Sequence, residues 1–175
     1  MSLMALEAAE CPAAAARLLR AEARTWTQDW SPAVAALRSA TQLYVIGRGT
    51  GLPVAMEAAL KFKEVCGIHA EAYSGAEVQH GPMALVGPGF PTLVLAPPGP
   101  AQAGLLALAA QMRERGAMVL LAAPGAELPL AASAHADLDP IAAMPSIYRM
   151  VEALARARGL DPDRPRHLAK VTKTH

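Results

Sequence analysis

Four short apolar or alternating runs, each stopped by a glycine or proline within two residues, constrain this chain more than anything else in it. They are Leu43–Ile46, Ile68–Tyr73, Phe90–Ala96 and Ala117–Ala122. Each is short enough for a strand, and helical patterns lie around them. The spacing predicts helices over Ala13–Trp30, Pro32–Arg38, from Pro53 to Cys66 with Gly67 as the stop, over Ala101–Arg115 and over Ser146–Arg158. Ser31 before Pro32 has the cap-then-proline order of a helix start. Ser74-Gly75-Ala76-Glu77 has capping-box spacing, so a short helix is expected to end at His80-Gly81-Pro82. A short fifth strand is expected at Ala136–Asp139. Strands separated by helices pair in parallel and need helices on both faces. The predicted class is therefore α/β, a three-layer αβα sandwich on a mostly parallel five-stranded sheet. The composition suits it: 53% hydrophobic but only 4% aromatic, rich in alanine, as close helix-on-sheet packing tolerates.

A chain of 175 residues makes one ordinary domain with a real core. We divide it into an N-terminal helical arm (1–38), a body (39–158) and a proline- and charge-rich tail (159–175) laid over the body. Met1-Ser2-Leu3 ahead of Met4 reads as a cloning remnant. The net charge of +1, with no basic face, gives no reason to expect nucleic acid or an anionic membrane as partner. Val78 to Met112 carries no Asp, Glu, Lys or Arg, but six prolines interrupt it, so it reads as buried strand and helix. Glu7 and Glu10 precede any basic cluster, against a signal peptide, and Cys11 and Cys66 are too few for a disulfide framework. A cytoplasmic location is expected.

The candidate chemistry is concentrated between Gly47 and Leu85. In a parallel sheet, ligands bind beyond the carboxyl ends of the strands. Gly47-Arg48-Gly49-Thr50-Gly51 sits at such an end and opens a helix, so its amides are candidates for an anionic or hydroxyl-rich ligand. The plain alternative is that the glycines only make a tight strand-to-helix turn. On the following helix Glu57, Lys61 and Glu64 share one stripe. Such a row is usually a solvated surface feature, but beside a ligand turn a half-buried carboxylate next to a lysine can move a carbon-bound proton. His80 at a helix end favours the imidazolium, which suits ring-opening acid–base work, although a histidine there can also be only a cap. His69, Glu71 and Tyr73 share a strand face and read as structural or as support behind a site. His135, His167 and His175 show no ligand spacing, so no metal and no cofactor are predicted.

These residues carry a likeness. EAALKFKEVCGIHAEAYSGAEVQHGPMALV resembles the sugar isomerase (SIS) domain family, in particular the second SIS domain of glucosamine-6-phosphate synthases and the shorter amino-sugar-phosphate isomerases and deaminases. The likeness runs from about Gln42 to Lys170 and includes the GRG turn, E-x-x-x-K-x-x-E, HAEAY, E-x-x-HGP-x-AL and D-x-D-x-PR-x-LAK. It implies that Glu64 is the base moving a proton between C1 and C2 of a sugar phosphate. It makes Lys61 an active-site lysine and Glu57 the acid one turn earlier. By the same likeness His80 opens the sugar ring, reaching the site of a neighbouring subunit, and Lys170 closes over the substrate. A homodimer or larger assembly, with sites near the subunit interface, is implied as well.

The departures bear on function. Two-SIS enzymes hold the phosphate in a Ser-x-Ser-Gly-Glu-Thr loop after the third strand of their first SIS domain. Here the third strand runs into Pro97-Pro98-Gly99-Pro100, which supplies few amides and no hydroxyls. Gln79 stands where a basic residue is common and His167 where an asparagine is. No N-terminal cysteine nucleophile is present, so glutamine hydrolysis is not expected. The sequence reading is an isomerase- or deaminase-type SIS protein acting on a ketose or amino-sugar 6-phosphate, possessing the acid/base half of the site. The alternative is a sugar-phosphate sensor that binds without turnover.

Overall fold

The computed structural model describes residues 28–131 and 138–168. Its elements are α1 (Ser31–Leu37), β1 (Gln42–Gly47), α2 (Gly51–Cys66), β2 (His69–Ser74), β3 (Pro91–Leu95), α3 (Gln102–Glu114), β4 (Met118–Ala123), β5 (Leu128–Pro129) and α4 (Asp139–Ala157). Two 3-10 turns, Glu77–Gln79 and Pro82–Leu85, join β2 to β3. The five strands form one parallel sheet in the order β2-β1-β3-β4-β5. The αβα sandwich inferred from the alternation of runs is what forms.

Side chains alternate across the strands, so the sheet has two separate cores. Leu43 and Val45 of β1, Leu93 and Leu95 of β3 and Leu120 of β4 point to one face, covered by α1, α2 and α4. Tyr44, Ile46, Val94, Val119 and Leu121 point to the other, covered by α3 and the 3-10 turns. On α2 the stripe Val54, Ala55, Ala58, Ala59, Phe62 and Cys66 is buried. Its three alanines let the helix lie close to the sheet, and Phe62 fills the space beneath. The Cys66 thiol donates to the Val151 carbonyl at 3.4 Å, joining α2 to α4.

Several sequence expectations need correction. The helix placed over Ala13–Trp30 does not reach its end, because residues 28–30 are not helical; the remainder lies outside the described residues. The cap of α1 is not the Ser31 side chain. Asp29 does that work, accepting from the Ser31 amide at 2.8 Å and from its hydroxyl at 3.0 Å, and these bonds hold the Asp29 carboxyl below its usual range. Among the described residues the fifth strand is Leu128–Pro129; of the expected Ala136–Asp139, the first two residues lie outside the described residues and Asp139 opens α4. Residues 132–137 lie outside the described residues. A proline is tolerated in β5 because that strand is at the sheet edge, and the Trp30 indole donates to the Pro129 carbonyl at 3.0 Å. Helix α4 starts seven residues earlier than Ser146, with Pro140 in its first turn and Pro145 inside it. Burial of Ala142, Ala143, Ser146 and Ile147 outweighs the hydrogen bond that Pro145 cannot make.

The uncharged stretch from Val78 to Met112 folds as the 3-10 turns, β3 and most of α3, and no described helix is long and apolar enough to cross a membrane.

Candidate functional site

The topological switch point of this sheet lies between β1 and β3, where α/β folds usually hold a ligand. On its α2 and α4 side, Gly51, Val54, Leu95, Pro97, Leu130, Pro140 and Ala143 enclose a hollow of only about 10 Å³, apolar-lined. Beside it, the glycines of the turn after β1 have steric reasons of their own. A Cβ on Gly47 would sit 2.4 Å from the Gly51 carbonyl oxygen, and Gly49 is left-handed at φ 57°. The expected free helix amides are largely spent: the Gly51 amide donates to the Arg48 carbonyl at 3.0 Å, the Leu52 amide to the Gly49 carbonyl at 3.1 Å, and Pro53 has none. Arg48, Gly49 and Thr50 are exposed at the rim of the turn.

The charged row on α2 is formed as its spacing implies. Lys61 Nζ donates to Glu64 Oε2 at 2.7 Å and lies 3.6 Å from Glu57 Oε1. Glu57 Oε1 also accepts from the Tyr148 hydroxyl at 2.9 Å. The side chains of Glu57, Lys61 and Glu64 keep only 33%, 29% and 27% of their exposure, so the row is half-buried between α2 and α4 and differs from a solvated one. The hydrogen bond that Lys61 donates to Glu64 holds its ammonium above the ordinary range against some desolvation. Burial, followed by the bond to Glu57, raises the Tyr148 phenol likewise. Tyr148 had no signal in the sequence, since it meets Glu57 across 91 positions.

Glu64 opens onto a cleft of about 360 Å³ between the end of α2 and the segment 159–168. Lys63, Gly67, Arg164, Arg166 and His167 share its lining. Part of the predicted tail thus lies beside the predicted base, while Lys170 falls outside the described residues.

His80 is elsewhere. It follows the 3-10 turn Glu77–Gln79 and is exposed. Its neighbours Val78 and Met83 pack on the α3 face of the sheet, whereas α2 packs on the opposite face. Glu64 lies just before the start of β2 and His80 beyond its end, six strand residues and about 20 Å along the sheet. Within one chain the imidazole and the carboxylate do not meet. The dipole argument for His80 also loses its basis, because the preceding element is a three-residue 3-10 turn and not an α-helix. The capping box itself is present: the Glu77 amide donates to Ser74 Oγ at 3.1 Å and the Ser74 amide to Glu77 Oε2 at 3.2 Å.

On the α3 face the HAEAY strand does what its alternation implies. The Tyr73 hydroxyl donates to Glu71 Oε2 at 2.8 Å, with His69 at 4.0 Å from the same carboxylate. That bond pushes the Tyr73 phenol up to about 12. Tyr44 stacks edge-on against Tyr73 at 5.0 Å and its phenol is raised by burial. Among the described residues no group of three or more His, Cys, Asp or Glu side chains converges as a metal site would require.

A parallel five-stranded αβα sandwich, with an acid–lysine–acid row on its second helix, an HAEAY edge strand and a tail segment beside the row, is the arrangement that a sugar isomerase (SIS) type of domain implies. The chain belongs to the SIS domain family, whose profile matches residues 36–157. It is 43% identical over 149 residues to glutamine–fructose-6-phosphate aminotransferase (isomerizing) of Aeropyrum pernix, a match covering 79% of this chain but 24% of that protein. The chain thus spans about a quarter of that relative's length. A solved structure assigned as a phosphosugar isomerase from Silicibacter pomeroyi is 43% identical with a TM-score of 0.78, covering 87% of this chain and 48% of that one. The Vibrio vulnificus NanR protein, solved with ManNAc-6P, shares the fold at 15% identity and a TM-score of 0.59, over 85% of this chain and 61% of that one.

Proposed function

We propose that this chain supplies the acid–base half of a phosphosugar isomerase or deaminase site, with Glu64 as the base. The observation that carries the reading is the half-buried Glu64, paired with Lys61 at 2.7 Å and itself lining a cleft beside the tail segment. A carboxylate in that position takes the proton from C2 of an aldose or amino-sugar 6-phosphate, or from C1 of the ketose, and leaves an enediolate, which becomes the enediol or enolamine when the former carbonyl oxygen takes a proton. Returning the first proton to the neighbouring carbon, while the hydroxyl or amine on the other carbon gives up its own proton as the new C=O or C=N forms, completes the isomerisation with no net gain or loss of atoms. The Lys61 ammonium, fixed between two carboxylates, stabilises the negative charge that develops on the substrate oxygen. In this reading His80 comes from a second copy, since its own chain keeps it across the sheet, and Lys170 closes on the sugar. Glu57 holds Lys61 in the row, whereas Arg48 and Thr50 sit at the opposite end of α2, about 20 Å from Glu64, and take no part in this cleft.

The test is exchange of the C1 and C2 protons of fructose 6-phosphate and glucosamine 6-phosphate in deuterated water, followed by proton NMR. Exchange is expected, and Glu64→Gln should slow it about 10²–10⁴-fold while leaving the melting temperature within a few degrees. Exchange at an unchanged rate in that variant would remove Glu64 from the role. Tight binding without exchange by the wild type would favour the sensor reading.

A further inference from the structure

Resting on that functional reading, we propose that the cleft beside Glu64 is also an anion site, in which Lys63, Arg164 and Arg166 hold the phosphate of the substrate. The positions around the β1 and β3 ends offer an anion little. The hollow between α2, β3 and α4 has about 10 Å³ of apolar room, the amides of Gly51 and Leu52 are occupied within their own turn, and the loop after β3 is Pro97-Pro98-Gly99-Pro100.

Several other cations among the described residues have partners, although exposed Arg48 and Arg115 have none. Lys61 has Glu57 and Glu64, Arg113 has Glu127 at 2.8 Å, and Arg156 has Glu152. Arg158 Nη1 reaches the Arg38 and Ala40 carbonyls at 2.8 and 2.9 Å. Among the described residues, no hydrogen bond or ion pair engages the charged ends of Lys63, Arg164 or Arg166, yet all three line one cleft. Two carboxylates share that lining. Glu64 already has Lys61, and Asp161 Oδ1 accepts from the Asp163 amide at 3.0 Å. The cleft therefore carries surplus positive charge and, at about 360 Å³, is within the range of small-molecule sites, about 300–1,000 Å³.

Backbone conformation points the same way. His167, next to Arg166 and on the cleft wall, is a non-glycine residue in the left-handed region at φ 61°. Histidine and asparagine tolerate that region better than most side chains, and outliers of this kind gather at ligand sites. Two guanidinium forks suit phosphate oxygens because each can give two parallel hydrogen bonds. A phosphate held by them lies in the same cleft as the Glu64 carboxylate, so the carbons at the far end of the sugar can face the base.

The experiment titrates the full chain with inorganic phosphate, fructose 6-phosphate and fructose by calorimetry, in the wild type, Arg164→Ala/Arg166→Ala, Lys63→Ala and the exposed control Arg115→Ala. The phosphorylated ligands should bind and fructose should not. The double variant should weaken both phosphates about tenfold or more, Lys63→Ala by less, and Arg115→Ala not at all. Unchanged phosphate affinity in the double variant, or no phosphate binding by the wild type, overturns the site. The two readings fail separately. If Glu64→Gln stops exchange while the arginine pair leaves KM and phosphate affinity unchanged, the anion site falls and the function stands. If the arginine pair sets phosphate affinity but no exchange occurs, the anion site stands and the function falls.

Discussion

The two faces of the sheet are built from different material. The face beneath α1, α2 and α4 is almost wholly aliphatic, with Phe62, Leu37, Ile147 and Leu154 fully buried. The opposite face has one long helix, α3, and two 3-10 turns, and over β1, β2 and β3 it holds Tyr44, Glu71, Tyr73 and Thr92. Thr92 is fully buried, and its hydroxyl has no hydrogen-bond partner among the described residues. The first face is a rigid platform that carries the charged row on its outer surface. The second is shallower and carries His80 on a connection of short turns. A single sheet thus separates the two groups that the proposed chemistry needs together, and a second copy is the simplest way to reunite them.

Breaking the platform should have the largest effect. Phe62→Ala should cost about 3–5 kcal/mol and lower the melting temperature by about 10 °C. Met83→Ala on the other face, where the side chain is 6% exposed, should cost less, near the lower end of about 2–5 kcal/mol. Equal losses would contradict the contrast between a deep and a shallow core. Both follow from thermal melts monitored by far-UV circular dichroism.

Alkaline titration should give the next largest effect. Burial pushes the Cys66 thiol up to about 11 from 9.0. An acid with a raised folded pKa keeps its proton longer in the folded state, so stability is complete below the unfolded value and falls as pH rises from about 9 to about 11. The loss from this group should be on the order of 2–3 kcal/mol. Cys66→Ala should flatten that part of the denaturant-midpoint profile. A profile as steep as that of the wild type would show that the junction between α2 and α4 titrates through another group.

The smallest effect belongs to Tyr148, which links α4 to the row through Glu57. Tyr148→Phe should change stability by only about 0.5–1.5 kcal/mol, but should alter kcat for proton exchange more than KM, because it frees the Glu57 carboxylate beside Lys61. A change confined to KM would place Tyr148 in direct contact with substrate instead.

The parallel sandwich and the row were legible because both follow from short-range periodicity. Strand-length apolar runs between helices impose the topology, and positions 57, 61 and 64 must share a stripe on any α-helix. What escaped was either proline-masked or long-range. Pro140 and Pro145 read as breakers, yet tertiary burial carries α4 through both. β5 is two residues long and contains proline, so no periodic signal exists for it. The small apolar hollow beside the switch point needs Pro97, Leu130 and Pro140 to converge from three segments, and no local pattern announces that. His80 was correctly placed near a capping box but given a helix end that does not form. Its assignment to the far face becomes visible only once Val78 and Met83 are seen in the α3 core.

The most direct test of a site divided by the sheet is complementation between two defective chains. Glu64→Gln and His80→Ala should each be nearly inactive in proton exchange when alone. Co-refolded in equal amounts, they should recover a substantial fraction of wild-type activity, because a mixed pair contains one site with both an intact carboxylate and an intact imidazole. If the wild type is active and the mixture stays at the level of the separate variants, His80 does not serve the site of a partner, and the account of a shared site is wrong.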